Sequence, residues 1–143
     1  MDHLHKYINS RLRTNHFIKH MGIELVSISK GEAALKIHIE NYHLQQNGFT
    51  HGGVTATLCD VATGIAAYTM APEGKNVVTA DLKISYLHPS TANMIVAKGR
   101  VRKAGNLMFF CDADVFDITE EGERLVATAT AIMVAVDIPL AAS

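Results

Sequence analysis

The sequence predicts an α+β domain in which one long apolar helix packs against an antiparallel β-sheet. Residues 53–70 form a continuous, mainly apolar segment long enough for about five helical turns. The segments on both sides of it alternate polar and apolar side chains, as strands with one buried face do. Short turns join the later strands, and such turns connect antiparallel neighbours. A helix this apolar must bury itself against the sheet.

The predicted central helix carries one acid, Asp60. Its expected buried stripe consists of Val54, Leu58, Val61 and Ile65. Asp60 falls on the opposite side, which otherwise holds the small residues Gly53, Ala56, Thr63, Gly64 and Ala67. Small residues let a ligand or another backbone approach, so Asp60 is predicted to face a crevice. A carboxylate removed from water needs partners, which makes Asp60 either a functional group or a structural acid paired with Arg or Lys.

Residues 1–21 are predicted to be helical, with one apolar face and a helix stop at Gly22. They precede a core over residues 22–137, and both parts belong to a single domain of residues 1–143. A hairpin is expected over residues 23–40, with its turn at Lys30 and Gly31.

Four strands are predicted after Pro72 and Gly74 end the central helix. They cover residues 78–86, 94–103, 107–118 and 125–136. In the first of them, strict alternation places Thr79 and Asp81 on the same face. The tail from Pro139 is expected to fray.

Composition narrows the possible functions. The 143 residues fit one domain, and 48% hydrophobic residues suffice for a core. A net charge of −1 argues against nucleic acid, whose partners usually present a basic face. The apolar runs are too short to cross a bilayer, and the N-terminus lacks an apolar signal region, so a cytoplasmic protein without membrane contact is expected. Cys59 and Cys111 are expected to be buried thiols.

The strongest motif precedes the central helix and reads Gln45-Gln46-Asn47-Gly48-Phe49-Thr50-His51-Gly52-Gly53, followed by Asp60. This motif resembles the Q/N-x-x-G-x-x-H-G-G…D/E pattern of hotdog-fold acyl-CoA thioesterases. Residues 78–86 also resemble the third strand of the phenylacetate-pathway group, which includes thioesterase superfamily member 2. The resemblance covers residues 21–136 and implies a hotdog fold, in which a curved antiparallel sheet wraps around one long central helix.

The resemblance also implies roles for single residues. Asp60 matches the family's catalytic carboxylate, and Gly52 matches the glycine whose N–H polarises the thioester carbonyl. Gln45 matches an Asn or Gln that holds the water or the carbonyl, although Asn47 could take this role if the loop shifts. Thr79 matches a Ser or Thr near the water.

His51 matches a histidine that supports the site, and a hydrogen-bonded core histidine is the alternative. In the family the site lies at a dimer interface. The resemblance therefore implies a homodimer, or a dimer of dimers, in which Gln45 and Gly52 come from one subunit and Asp60 and Thr79 from the other.

The chemistry is reasonable without the resemblance. A helix start presents unpaired N–H groups and partial positive charge, and Gly52 and Gly53 have no side chain to keep a ligand oxygen away. Asp60 lies roughly 10 Å further along the helix axis, too far to act with Gly52 on one carbonyl within a single chain. The carboxylate could activate water or attack to form a mixed anhydride.

Other candidate residues bind substrate or remain structural. Arg102 and Lys103, next to Arg100, could meet the phosphates of coenzyme A, or could form a solvated strand end. His88 could edge the pocket or belong to a turn. His16 and His20 lack an acidic partner in a metal motif, so neither a metal nor another cofactor is expected.

The function predicted is hydrolysis of an aryl- or fatty-acyl-CoA, with CoA as part of the substrate. The alternatives are a non-catalytic acyl-CoA-binding protein and an acyl-CoA hydratase or dehydratase.

Overall fold

The structure is a computed structural model that describes residues 2–137. Its helices are α1 (Asp2–Thr14), α2 (His16–Met21) and α3 (Gly52–Tyr68), with a short 3-10 helix at Asn41–His43. Its strands are β1 (Glu24–Ser29), β2 (Glu32–His38), β3 (Asn76–Tyr86), β4 (Met94–Ala104), β5 (Met108–Thr119) and β6 (Gly122–Val136). The predicted elements are all present, with ends that differ by a few residues. The tail predicted to fray from Pro139 lies outside the described residues.

The strands form one antiparallel sheet in the order β1-β2-β4-β5-β6-β3. Helix α3 packs across the concave face of this sheet and contacts β2 to β6. The predicted α+β class, with a curved sheet around one long helix, is confirmed. Within the described part of the chain, no helix is long and apolar enough to span a bilayer.

The sheet buries residues of α3 that lie outside the predicted apolar stripe. Leu58, Cys59 and Ala62 are fully buried. At Gly99 on β4 the backbones approach so closely that a Cβ atom would lie 2.7 Å from the carbonyl carbon of Ala62. Two residues of the small face, Thr63 and Ala67, are also fully buried, so only part of this face, including Asp60, lies beside a cleft.

Strand β3 contains an irregularity that changes which side chains share a face. Thr79 pairs with Met133 whereas Asp81 pairs with the adjacent Ile132, so the register shifts between them. Neighbouring residues of a strand point to opposite faces, and a bulge of this kind therefore separates the two side chains. The prediction that Thr79 and Asp81 lie on the same face is wrong: Thr79 faces α3, and Asp81 faces the outer side.

A buried ion pair fixes the loop between β3 and β4. Asp117, with 0% exposure, accepts hydrogen bonds from the Ser90 hydroxyl, from the Thr91 N–H at 2.9 Å and from Arg124 Nη2 at 2.8 Å. Burial acts to raise the pKa of Asp117, but the bonds from Ser90, Arg124 and the loop amides outweigh it and hold that pKa below its usual value.

We expect Asp117→Asn to lower the free energy of unfolding at pH 7 by about 2–4 kcal/mol, because it leaves Arg124 without its carboxylate. A pKa lowered by folding gives stability that is present above about pH 4 and is lost as the pH falls through the folded pKa. The difference between variant and wild type should therefore shrink below about pH 4. Urea unfolding at pH 7 and pH 3 measures both effects. Asp114→Asn, at an exposed acid of the same strand, is the control; an equal loss in both variants would contradict the assignment.

Candidate active site

Helix α3 begins with an unoccupied hydrogen-bond donor. His51 is the N-cap, with φ −61° and ψ 137°, and its Nδ1 accepts the Gly53 N–H at 2.8 Å. The Val54 N–H bonds to the His51 carbonyl at 2.9 Å. Among residues 2–137, no acceptor lies within hydrogen-bond reach of the Gly52 N–H. The partial positive charge of the helix start is therefore available to a ligand oxygen at this amide.

The loop before α3 is anchored by a histidine that sequence reasoning missed. His43 is fully buried; its Nδ1 accepts the Glu40 N–H at 2.9 Å, so its Nε2 carries the proton and donates to the Met21 carbonyl at 2.8 Å. The His43 carbonyl in turn accepts the His51 N–H at 2.8 Å. The buried histidine of this region is therefore His43. The alternative of a core histidine at His51 is wrong, because His51 is exposed and acts as a cap.

Gly52 opens into a cleft of about 380 Å³ whose lining includes Gln45, Tyr86 and His88. The Gln45 side-chain oxygen accepts a short hydrogen bond from the Asn47 N–H, which leaves the amide NH₂ of Gln45 as a donor. Asn47 is exposed and does not line this cleft. His88 lies at the rim, with its Nδ1 2.7 Å from the Pro89 carbonyl oxygen.

Tyr86 is a second residue of this site that sequence reasoning missed. Its hydroxyl donates to the Gly52 carbonyl at 2.7 Å. Its ring also occupies the space beside Gly52, where a Cβ atom would lie 3.3 Å from the ring. A side chain at position 52 would therefore press on the Tyr86 ring, whose hydroxyl holds the first peptide of α3.

Asp60 opens into a different cleft, of about 390 Å³. Its Oδ1 accepts the Thr79 hydroxyl at 2.6 Å, and the same hydroxyl lies 3.4 Å from Met133 Sδ. In the described part of the chain, Asp60 has no cationic partner within ion-pair distance. The alternative of an acid paired with Arg or Lys thus finds no support, and the carboxylate is held by a neutral hydroxyl at the wall of the cleft.

The two halves of the predicted site are separate in one chain. The cleft at Gly52 and the cleft at Asp60 share no lining residue. Gln45, Gly52 and His88 belong to the first, and Asp60 and Thr79 to the second. Arg102 and Lys103 line neither; Arg102 Nη1 and Arg100 Nε bond to Asp112 at 3.0 and 2.9 Å.

The remaining reactive side chains are structural. Both cysteines are free and buried, as predicted. Burial, followed by the charges of Asp114 and Asp60, raises the pKa of Cys59 to about 12, which keeps it from acting as a thiolate. In the part of the chain that the structure describes, no three His, Cys, Asp or Glu side chains are placed to hold a metal ion.

Comparison with known proteins identifies relatives over most of the chain. The model of the thioesterase superfamily matches residues 47–124, the segment that holds Gly52, Asp60, Thr79 and Tyr86. Human acyl-coenzyme A thioesterase 13 is 30% identical over 114 residues, which are 78% of this chain and 81% of that protein.

Solved structures share the fold. A thioesterase family protein from Silicibacter pomeroyi has a TM-score of 0.88 at 24% identity, covering 93% of this chain and 98% of its own. The PaaI protein from the phenylacetic acid degradation operon of E. coli has a TM-score of 0.79 at 21% identity, covering 91% and 92%. The predicted hotdog fold and the resemblance to thioesterases are confirmed.

Proposed function

Because the chain belongs to the thioesterase superfamily, we propose that it hydrolyses an acyl-CoA thioester to the free acid and CoA with Asp60 and a water molecule. One observation carries the proposal. Helix α3 presents a Gly52 N–H that makes no hydrogen bond within residues 2–137 and, two turns later, a carboxylate at Asp60 that the Thr79 hydroxyl orients. The N–H can polarise the thioester carbonyl and the carboxylate can act as a base, and thioester hydrolysis needs both groups.

Gly52 supplies the site for the developing oxyanion. The thioester carbonyl oxygen accepts the Gly52 N–H, where the helix dipole stabilises negative charge. The free NH₂ group of Gln45, in the same cleft, is the second donor. The loss of one such donor typically costs about 100- to 1000-fold in rate.

Asp60 acts as the general base. Thr79 bonds to its Oδ1, so Oδ2 is left to accept a proton from water. The water oxygen attacks the acyl carbon, its proton passes to Asp60, and the carbon–sulfur bond breaks when the tetrahedral intermediate collapses. The CoA thiolate leaves and takes up a proton, and the acyl group departs as the free acid. The alternative route, in which Asp60 forms a mixed anhydride, uses the same carboxylate.

A homodimer would join the two half-sites across β3. Within residues 2–137 this strand is at an edge of the sheet and pairs only with β6, so one side of its backbone could pair with a strand of another chain. Antiparallel pairing of two β3 strands about a two-fold axis near the middle of the strand would bring the Thr79 end of one strand beside the Tyr86 end of the other. Since Thr79 holds Asp60 and Tyr86 holds Gly52, this pairing directs each carboxylate toward the other chain's oxyanion site.

Three further residues are proposed to contact the substrate outside the two half-sites. His88 at the rim of the Gly52 cleft would contact the substrate near its thioester. Arg102 and Lys103 are exposed cations on β4 that line neither cleft, so we assign coenzyme A phosphates to them from a substrate bound to another subunit. A dimer of dimers is therefore part of the proposal for these two residues.

Thiol release tests the proposal. The protein is incubated with benzoyl-, phenylacetyl- and octanoyl-CoA, and free CoA is trapped with a chromogenic disulfide. Release from at least one of them supports thioester hydrolysis. Loss of the double bond of an enoyl-CoA without thiol release would instead indicate a hydratase, and tight binding without any turnover a non-catalytic protein. Either result would overturn the proposal.

We expect Tyr86→Phe to lower kcat/KM for acyl-CoA hydrolysis about 5- to 10-fold, since it removes one hydrogen bond of about 1 kcal/mol that orients the Gly52 peptide. The ring and its packing on Gly52 remain, so the melting temperature should change little. Tyr42→Phe, at an exposed tyrosine that lines neither cleft, is the matched control. An unchanged kcat/KM in Tyr86→Phe would show that the hydroxyl does not position the amide.

A further inference from the structure

The cleft at Asp60 ends in a polar group that the proposed chemistry does not use. Helix α1 is amphipathic, and its Ile8 and Leu12 are buried. On the same side of α1, Tyr7 and Arg11 line the cleft and meet Tyr68 from the last turn of α3. An otherwise largely apolar wall thus carries two phenols and one guanidinium.

The hydrogen bonds of this cluster leave one donor unused. The Tyr68 hydroxyl donates to Tyr7 Oη at 3.1 Å, and Arg11 Nη1 donates to the same oxygen at 3.2 Å. A tyrosine hydroxyl can accept and donate, and it carries one proton. The Tyr7 oxygen accepts both of these bonds, and among residues 2–137 the Tyr7 hydroxyl donates no hydrogen bond.

The two phenols are held by their neighbours, and each has a shifted pKa. Burial, and then the bond it donates to Tyr7, raise the pKa of Tyr68 to about 12. The bond from Tyr68 is the main cause that lowers the pKa of Tyr7. The rings stack with centroids 6.1 Å apart, and the Arg11 guanidinium lies 5.9 Å from the Tyr7 ring centroid, which holds the hydroxyl in place.

The cluster lies where the far end of an acyl group would be. Tyr68 is two helical turns beyond Asp60, and Val61 and Gly64 line the same cleft between them. A Cβ atom at Gly64 would meet no atom within 4 Å, so the passage is open there. Two turns of helix rise about 11 Å, roughly the length of an extended chain of eight carbons.

We propose that Tyr7 is a specificity-determining residue whose hydroxyl donates to an oxygen at the far end of the acyl group. The inference deepens the proposed thioesterase function and rests on it. The substrate class is an acyl-CoA with a hydrogen-bond acceptor remote from the thioester. That acceptor is either a neutral hydroxyl or carbonyl oxygen or a carboxylate. Only the carboxylate would also draw on the charge of Arg11, which with Asp60 makes up the charged lining of this cleft.

The test uses acyl-CoAs matched in length. We expect kcat/KM for 8-hydroxyoctanoyl-CoA or for octanedioyl-CoA to exceed that for octanoyl-CoA by about 10-fold or more, because a donor without its acceptor is left unpaired when octanoate binds. Tyr7→Phe should abolish this preference, so that kcat/KM for 8-hydroxyoctanoyl-CoA and octanedioyl-CoA falls about 10-fold relative to kcat/KM for octanoyl-CoA. If a carboxylate is the natural acceptor, Arg11→Gln should lower kcat/KM selectively for octanedioyl-CoA. If a hydroxyl is the natural acceptor, Arg11→Gln should not lower kcat/KM selectively for either substrate.

A structural role for Tyr7 predicts a different result. If Tyr7 only anchors α1 on α3, Tyr7→Phe will lower the melting temperature and reduce all three rates equally. That outcome, or a wild-type enzyme with no preference among the three substrates, would overturn the inference while the thioesterase function stands. Failure of the wild type to release CoA from any acyl-CoA would overturn both. Tyr42→Phe again serves as the control for loss of a tyrosine hydroxyl.

Discussion

Asp60→Asn is expected to lower kcat for acyl-CoA hydrolysis by about 100- to 10,000-fold, the usual contribution of a general base. The substitution changes almost nothing else. Asparagine has the same shape, and its amide oxygen can still accept the Thr79 hydroxyl that lies 2.6 Å from Oδ1. What it loses is the ability to take a proton from water, or to attack the acyl carbon.

The effect should fall on the chemical step. Asp60 lines the cleft but, in the described part of the chain, pairs with no cation, so its neutralisation leaves no charge uncompensated and should not weaken the fold. Stopped-flow thiol release with saturating substrate measures the loss, and the affinity of the variant for acyl-CoA shows that the cleft is intact.

Asp81→Asn is the matched control, because Asp81 lies two residues after Thr79 on β3 but faces the outer side of the sheet. It should keep activity within about 2-fold of wild type. If Asp60→Asn also retained near-normal turnover, or if both variants lost activity together, the assignment of Asp60 would be wrong.

The residues of the site were predictable wherever their signal is local. The apolar periodicity of residues 53–70 predicts α3, and the motif from Gln45 to Gly53 marks its start, because capping and helix periodicity depend on neighbours in sequence. The helix also fixes the separation of Gly52 and Asp60. That separation alone indicated that one chain cannot bring them together, and the two clefts agree.

What the sequence could not predict depends on contacts between distant segments. The bulge of β3 exists only relative to Met133 and Ile132 of β6, so alternation within β3 put Asp81 on the wrong face. The bond from Tyr86 to Gly52 joins residues 34 positions apart, and that from His43 to Met21 spans 22. In the sequence, Tyr86 is the last residue of a predicted strand and His43 is one of eight histidines. Only the fold shows that each supports the start of α3.

Mixing two inactive variants should restore activity if the site is shared between chains. Asp60→Asn removes the carboxylate. Gly52→Val is expected to disable the other half-site, because its branched side chain would displace the Tyr86 ring beside Gly52 and thereby turn the first peptide of α3 away from the substrate. In a heterodimer of the two, one site combines both damaged halves and the other combines two intact halves. After random exchange at equal amounts, about a quarter of the wild-type activity should return.

The arrangement of β3 makes this prediction specific. Thr79 and Tyr86 both face α3 and stand at opposite ends of one edge strand, so a two-fold axis through its middle exchanges the two ends. Subunits are mixed in mild denaturant and returned to native buffer, and thiol release is followed over time. Each variant treated alone, and the two mixed without exchange, should remain inactive. If exchanged mixtures stayed inactive although mass spectrometry showed heterodimers, Gly52 and Asp60 would not act on the same substrate across the interface. If instead the chain stayed monomeric and wild type were active, the two clefts would have to work within one chain.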